Sequence, residues 1–124
     1  MKQCYCDKTV SFENCCQPIL EGKLKATTAK QLMRSRYTAY CVQAVDYLVA
    51  TTHFSTRKLY LKSDLLSWSQ NNTWVKLEII SATEFEIEFK AFYLNEKLKA
   101  QIHHEKSTFV FENGIWFYVD GFFF

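Results

Sequence analysis

Four of the five cysteines stand within the first 16 residues, as two close pairs, Cys4 with Cys6 and Cys15 with Cys16. A segment of this length is too short to bury a core of its own. Two thiol pairs can instead converge on one tetrahedral Zn²⁺, which thiolates hold well. Because all four positions would be filled by protein, none would remain for a reactive water. The pattern predicts a structural zinc site; two disulfides or four free thiols are the alternatives.

The rest of the composition indicates where such a chain would reside. The first residues contain a lysine but no apolar run of the kind a secretory signal needs, and nowhere do about 18 apolar residues follow one another. We therefore expect a cytoplasmic protein without a membrane segment, where reducing conditions favour metal over disulfides. A net charge of +2 without a dense block of Lys or Arg disfavours nucleic acid as a partner.

The cysteine spacing resembles the SEC-C motif, the small zinc knuckle at the C-terminus of the preprotein translocase ATPase SecA and in many bacterial proteins. Cys16 stands where many of these motifs carry His, and either residue ligates zinc. The loop departs from the motif, which usually has Pro between the first cysteines and Gly-Ser after the second. Here the loop contains Tyr5, Asp7 and Lys8, so we expect a different loop conformation around the same metal.

A helix is predicted after the knuckle. Thr28 followed by Gln31 is a capping-box pattern, so the helix should begin near Ala29. At about 100° per residue one apolar stripe emerges; it consists of Ala29, Met33, Tyr37, Tyr40 and Ala44. Arg36 falls inside this stripe and Arg34 outside it, which predicts a solvated surface charge for Arg34.

Arg36 therefore needs partners, since a guanidinium does not lose its proton and is costly to bury alone. A carboxylate or several carbonyls would serve, and the candidate carboxylates are Asp46, Glu105 and Asp120. The alternative is that the stem of Arg36 packs at the edge of the core while its head reaches water.

The remainder of the chain reads as helices followed by strands. Further helices are predicted around residues 46–52 and after Ser63 as N-cap, with a stop at Asn71 and Asn72. Alternation of apolar and charged residues then predicts strands over 74–81, 85–93 and 98–111, and Asn113-Gly114 predicts a hairpin into a last strand. The sequence thus predicts an α+β protein with an antiparallel meander.

Four segments, "CCQPILEG", "LMRSRYTAY", "DYLVATTH" and "HEKSTFVFENGIWFYVDG", resemble the YchJ family of small bacterial proteins in order and over most of the chain. The resemblance implies a knuckle over residues 1–22. It implies a nuclear-transport-factor-2-like domain over 23–124, a cone of curved antiparallel sheet with about three preceding helices and a cavity at its open end. Many members carry a second SEC-C motif after this domain; the sequence ends at "GFFF" without one, so we expect no function that needs two knuckles. The family brings no assigned reaction with it.

Several polar residues are candidates for chemistry in such a cavity. The catalytic candidates are His104, Glu105 and Asp120, where a histidine paired with a carboxylate would act as a general base. On a regular strand His104 and Glu105 point to opposite faces, so both cannot line one cavity unless a bulge intervenes. The alternative is structural, with Glu105 pairing with Arg36. The full set predicted to line the cavity is Arg36, Tyr37, Tyr40, His53, His104, Glu105, Trp116 and Asp120.

Two functions remain open at this stage. The first is an interaction or accessory module, whose knuckle presents a rigid surface to a protein or ribosomal partner, as the resemblance to SecA implies; the lysines near it are Lys2, Lys8, Lys23 and Lys25. The second is a small-molecule-binding or acid-base enzymatic cone, so enzymatic activity is left undecided. The last residues, Phe122 to Phe124, either cover the cone or form a surface for a homodimer.

Overall fold

The computed structural model describes residues 2–6 and 9–124, and within them helices precede a single four-stranded sheet. A short 3-10 helix over Phe12–Asn14 lies between the cysteine pairs. The helices are α1 (Gln17–Leu20), α2 (Ala29–Val42), α3 (Val45–Ala50), α4 (Phe54–Arg57) and α5 (Lys62–Gln70). The strands are β1 (Thr73–Ala82), β2 (Glu86–Leu94), β3 (Ala100–Glu112) and β4 (Ile115–Phe123). The sheet is an antiparallel meander in the order β1-β2-β3-β4, so the α+β prediction is confirmed.

Helix α2 begins where its cap predicts. The Thr28 side chain accepts a hydrogen bond from the backbone N–H of Gln31 at 3.0 Å. The Gln31 side chain reaches back one residue further than a capping box requires, to the N–H of Thr27 at 2.6 Å. Other helix ends differ from expectation: α5 has Leu61 as N-cap and no side-chain cap bond, so Ser63 as cap was wrong.

The helix predicted over residues 46–52 ends at Ala50, and the link from α3 to α4 joins the sheet instead. The N–H of His53 donates to the carbonyl of Tyr118 at 2.7 Å, and the N–H of Tyr118 donates to the carbonyl of Thr51 at 2.8 Å. Thr52 and Tyr118 form a parallel bridge. This link holds the end of α3 against β4, close to the side chain of Arg36.

The sheet covers the helices with one face. Along β2 the buried residues alternate with charged ones, as predicted, and along β3 the buried positions are Glu105, Ser107 and Phe109. Asn113 and Gly114 turn into β4 with φ of 53° and 78°, the backbone conformation that makes Asn-Gly a hairpin signal. The register between β3 and β4 shifts between Thr108 and Phe109.

The core lies between α2 and the inner face of the sheet, and it includes the knuckle. Cys4, Cys6 and Cys16 are buried in the same cluster as Leu32 and Phe109. The knuckle therefore packs on the domain, while a domain boundary between residues 22 and 23 stays a prediction. Among the described residues no helix has both the length and the apolar character to cross a membrane.

Candidate metal centre and ligand cavity

The four predicted cysteine ligands lie together. The Sγ–Sγ distances are 3.6 Å for Cys4–Cys6, 3.6 Å for Cys6–Cys15, 3.9 Å for Cys15–Cys16 and 3.5 Å for Cys6–Cys16. All four sulfurs lie within 4.8 Å of one another. A tetrahedral ion with metal–sulfur bonds of about 2.3 Å requires sulfur–sulfur edges of about 3.8 Å. The arrangement thus fits one tetrahedral metal ion.

The thiols share their protons unequally. Hydrogen bonding from Cys16, opposed by burial and aided by Cys15 and Cys4, lowers the pKa of Cys6 to about 5. Burial, with the neighbouring Cys6, raises the pKa of Cys15 to about 12, and the bond to Cys6 together with burial raises that of Cys16. A divalent cation replaces such protons and stabilises the thiolates. The arrangement of the four cysteines therefore favours a bound metal ion over four protonated thiols.

Two side chains of helix α2 contact the cysteines of this centre. The hydroxyl of Thr38 donates to Cys16 Sγ at 3.3 Å and lies 3.9 Å from Cys4 Sγ. Arg34 Nη1 donates to the carbonyl of Cys6 at 3.3 Å. The prediction that Arg34 is a solvated surface charge was wrong, because the face of α2 that carries Arg34 and Thr38 contacts the knuckle. The loop residues Asp7 and Lys8 lie outside the described residues.

A partly open cavity of about 150 Å³ lies on the other side of α2, between the helix and the sheet. Its polar side chains are Arg36, Tyr37 and Tyr40 from α2, His103, Glu105 and Ser107 from β3, and Tyr60 and Tyr118. The remaining wall is apolar or aromatic; it consists of Met33, Trp68, Trp74, Phe89, Ala91, Phe109 and Phe123. A buried cation and a buried anion therefore share one cavity.

Arg36 is 7% exposed, yet no carboxylate within the described part of the chain pairs with it. Its Nη1 donates to the carbonyl of Leu48 at 2.9 Å and to the hydroxyls of Thr51 at 2.7 Å and Thr52 at 3.4 Å. The guanidinium lies over the ring of Tyr118, 4.4 Å from its centroid. The end of α3 and an aromatic face thus take the place of the candidate carboxylates.

The three predicted carboxylate partners lie elsewhere. Asp46 pairs with Lys62 at 2.6 Å on the surface, and Asp120 is exposed. Glu105 is 6% exposed and accepts bonds from three other groups. His103 Nε2 lies 2.7 Å from one carboxylate oxygen, and the hydroxyls of Ser107 and Tyr118 donate to the other at 2.5 and 3.0 Å.

These bonds determine the charge of Glu105. Burial raises its pKa, but the bonds from His103, Ser107 and Tyr118 outweigh burial and hold the pKa below the ordinary value of about 4.5. Glu105 is therefore ionised at neutral pH.

Four predicted cavity residues lie outside the cavity. His104 lies on the outer face of the sheet, paired with Glu88 at 2.7 Å and stacked on Phe124 at 4.0 Å. His53 caps α4 by accepting from the N–H of Ser55, and its Nε2 lies 2.6 Å from Glu112. Trp116 packs between Phe85 and Phe111, and Asp120 is exposed on β4. A bulge that would bring His104 and Glu105 to one face is not present in β3 at these residues.

The predicted set omits four polar cavity residues. Three are Tyr60, Ser107 and Tyr118, and the fourth is His103. Strand alternation places it on the same face as Glu105, Ser107 and Phe109. The sequence left open which face points inward, because Ile102 is apolar too, and Ile102 is 56% exposed in the structure. The three terminal phenylalanines divide between the two faces: Phe123 lines the cavity, while Phe122 and Phe124 contact each other outside it.

Comparison with known proteins adds to this geometry. Residues 28–121 match the model of a family described as YchJ, middle NTF2-like domain. A UPF0225 protein of Haemophilus influenzae is 36% identical over 125 residues, which cover 97% of this chain and 77% of that protein. A UPF0225 protein of Vibrio cholerae is 38% identical over 124 residues, covering 95% and 81%.

Solved structures agree. A SEC-C motif containing protein from Rhodopseudomonas palustris has a TM-score of 0.88 at 30% identity over 98% of both chains. A second such protein, from Psychrobacter arcticus, has a TM-score of 0.80 at 23% identity, covering 97% of this chain and 81% of that one, and shows the same fold. The nuclear-transport-factor-2-like fold predicted from the sequence is confirmed.

Proposed function

The chain belongs to the YchJ family, and we propose that it is a metal-stabilised binding protein whose cavity takes up a small organic ligand bearing an oxygen acceptor. One observation carries this proposal, the incomplete pairing of Arg36. All of its hydrogen bonds within the described chain use Nη1, so Nε and Nη2 lack partners there. Neither nitrogen is sealed from solvent, because the one buried unpaired side-chain atom of the described residues is Ser11 Oγ.

This arrangement favours a ligand over a purely structural role for Arg36. A guanidinium has five donors in a fixed fork, and structural arginines usually use that fork on a carboxylate. Here one nitrogen anchors the side chain to α3, and the two unpaired nitrogens belong to a residue of the cavity wall. An oxygen of a ligand would complete the pairing and would be held by charge-assisted hydrogen bonds.

The size of the cavity limits the ligand. A protein cavity of about 150 Å³ can hold a benzene-sized molecule. The aromatic wall suits a flat, apolar body, while the polar groups fix its orientation, as is typical of small-molecule sites.

Thermal-shift and calorimetric titrations test this proposal with acetate, benzoate and benzamide as probes. We expect at least one ring-containing probe to raise the melting temperature of the wild type. Arg36→Lys keeps the charge but loses the fork, so it should bind at least tenfold more weakly. Arg57→Lys, a change in an arginine outside the cavity, is the matched control and should bind normally. Binding that is unaffected by Arg36→Lys, or absent for all three probes, would contradict the proposal.

We further propose that the metal is zinc in a structural role, in a cytoplasmic protein. Four thiolates in a tetrahedral arrangement are the donor set that structural zinc prefers, and they leave no position for a reactive water. Metal analysis of protein purified without added metal should give one zinc ion per chain. Cys41→Ser, which changes the cysteine outside the cluster, should keep that ratio, whereas replacing all four cluster cysteines by Ser should abolish it. A metal-free wild type would overturn this part.

A second candidate function, the accessory module with a protein or ribosomal partner, is supported by the surface next to the knuckle. Leu24 is 60% exposed between Lys25 and Lys23, of which Lys23 also pairs with Glu21 at 3.1 Å. Such a surface suits an acidic partner. Deleting the knuckle would not test this, because its cysteines lie in the core.

The chain offers a matched pair of variants for this second candidate. The same tripeptide, Lys-Leu-Lys, recurs at residues 97–99, in the turn before β3, where Leu98 is 74% exposed. Glu-Ser-Glu in place of residues 23–25 should abolish co-sedimentation with purified ribosomes, and the same change at 97–99 should not. Equal behaviour of the two variants would argue against the knuckle surface.

A further inference from the structure

The charges that face the cavity nearly cancel before any ligand arrives. Arg36 contributes one positive charge and ionised Glu105 one negative charge, on neighbouring walls joined by Tyr118. The Tyr118 ring carries the guanidinium on its face, and its hydroxyl donates to Glu105. A second anion in this site would therefore leave a net negative charge in a partly enclosed space, which is unfavourable unless a cation or proton accompanies it.

His103 is the group that can take up that proton. An ionised carboxylate only accepts hydrogen bonds, so the 2.7 Å contact requires that Nε2 of His103 carries the hydrogen. The neutral ring then has its lone pair on Nδ1. This atom has no partner within the described residues, yet it is not sealed from solvent, since the His103 side chain is 30% exposed.

The other titratable groups of the cavity do not compete for this role. On α2 they are Arg36, Tyr37 and Tyr40, on β4 Tyr118, and before α5 Tyr60. Burial raises the pKa of Tyr37, Tyr40 and Tyr118, so these phenols stay neutral. Glu105 itself is occupied by three donors.

We propose that the cavity binds a small aromatic carboxylate together with one proton, the carboxylate pairing with Arg36 and the proton residing on Nδ1 of His103. This inference rests on the proposed function and specifies its ligand class. The proton comes from solvent and adds to the lone pair of the imidazole, so no bond of the ligand is made or broken. The imidazolium is then stabilised by Glu105 on one side and by the bound anion within the same cavity.

The wall of the cavity supports an aromatic body for this acid. Trp68, Phe89 and Phe123 surround the His103 ring, with centroid separations of 6.3, 6.1 and 5.4 Å. Trp74 packs against Tyr37 and Tyr40 on the helix side. Aromatic faces and edges attract a ring in offset or edge-on geometry, in addition to the effect of apolar burial.

Calorimetry with benzoate and benzamide tests the inference, because the two probes have the same shape and differ in charge. Titrations in two buffers of different ionisation enthalpy, phosphate and MES at pH 6 and HEPES and Tris at pH 8, give the number of protons taken up on binding. For the wild type we expect benzoate to bind with uptake of up to one proton. Its affinity should fall as the pH rises, by at most tenfold for each pH unit, because one proton is taken up with the ligand. Benzamide should bind more weakly and without proton uptake.

Two neighbouring histidines of β3 provide the variants. His103→Gln should abolish proton uptake. At both pH values it should bind benzoate as weakly as the wild type does at pH 8. His104→Gln changes the outward residue of the same strand and should behave as the wild type. Both side chains are at least one-quarter exposed, so both variants should fold.

The outcomes separate this inference from the proposed function. Benzoate binding without proton uptake, or uptake that persists in His103→Gln, overturns the proton on His103 and leaves the binding cavity standing. Benzamide binding as tightly as benzoate overturns the carboxylate class in the same way. Absence of binding by every probe overturns the binding cavity itself, and this inference with it.

Discussion

Replacing Gly121 by Ala should displace Glu105 and so test how firmly the cavity holds its buried anion. A Cβ built on Gly121 comes closest to Glu105 Oε2 and lies 2.5 Å from Cδ and 2.8 Å from Cγ. Distances below 3.0 Å require an atom to move. The end of a glutamate side chain normally moves at little cost, but this one is 6% exposed and is held by three donors.

The magnitude follows from those contacts. Overpacking a core position typically costs about 1–3 kcal/mol, and a hydrogen bond to a charged group contributes about 1.5–3 kcal/mol. If the carboxylate shifts enough to lose one of its three bonds, the free energy of unfolding should fall by about 3 kcal/mol. For a urea slope of about 2 kcal/mol per M, the unfolding midpoint would fall by about 1.5 M.

Urea unfolding of matched variants checks this reasoning. In a Glu105→Ala background the clashing atoms are absent, so adding Gly121→Ala should cost less than about 0.5 kcal/mol. Gly22→Ala is the control for backbone effects. Gly22 has a φ of +80° and nothing within 4 Å of an added Cβ, so its cost of about 1 kcal/mol would come from conformation alone. An equal loss from Gly121→Ala with and without the Glu105 side chain would refute the explanation.

Three further predictions concern acid, the helix cap and the metal. The folded-state pKa of Glu105 lies below about 4.5, so its contribution to stability is complete above that pH and is lost as the pH falls below it. Glu105→Gln should therefore reduce the loss of stability at acid pH, measured by urea unfolding at several pH values. Thr28→Ala removes the acceptor of the Gln31 N–H and should lower the free energy of unfolding by about 1 kcal/mol, measured in the same way. A chelator should lower the melting temperature followed by circular dichroism, and added Zn²⁺ should restore it, because the cysteines belong to the core.

Local patterns in the sequence were sufficient to predict much of this fold. The cap at Thr28 gave the start of α2, and helical phase gave the inward position of Arg36. The clustering of the cysteines at one point is confirmed by the Sγ positions. These features depend on residues a few positions apart, where backbone geometry alone determines which side chains meet.

The partners of inward residues were harder to predict, since they come from distant elements. Arg36 meets the end of α3 and Tyr118, 82 residues further on, rather than a carboxylate. A carbonyl at a helix end is invisible in the sequence, because every residue has one. The orientation of β3 was ambiguous for a related reason: Ile102 and Phe109 are both apolar but point to opposite faces, so alternation gave two equal choices.

The structure finally explains why two arginines stand two residues apart in α2. Residues 34 and 36 are about 200° apart around a helix, so they face opposite sides. Arg34 bonds the knuckle beside Cys6, and Arg36 lines the cavity. A single 14-residue helix therefore contacts the metal-binding cysteines on one side and carries the cation of the cavity on the other. A metal ion that stabilises the knuckle also stabilises the helix on which the knuckle packs. Because the same helix carries Arg36, the metal centre and the cavity depend on the same folded state.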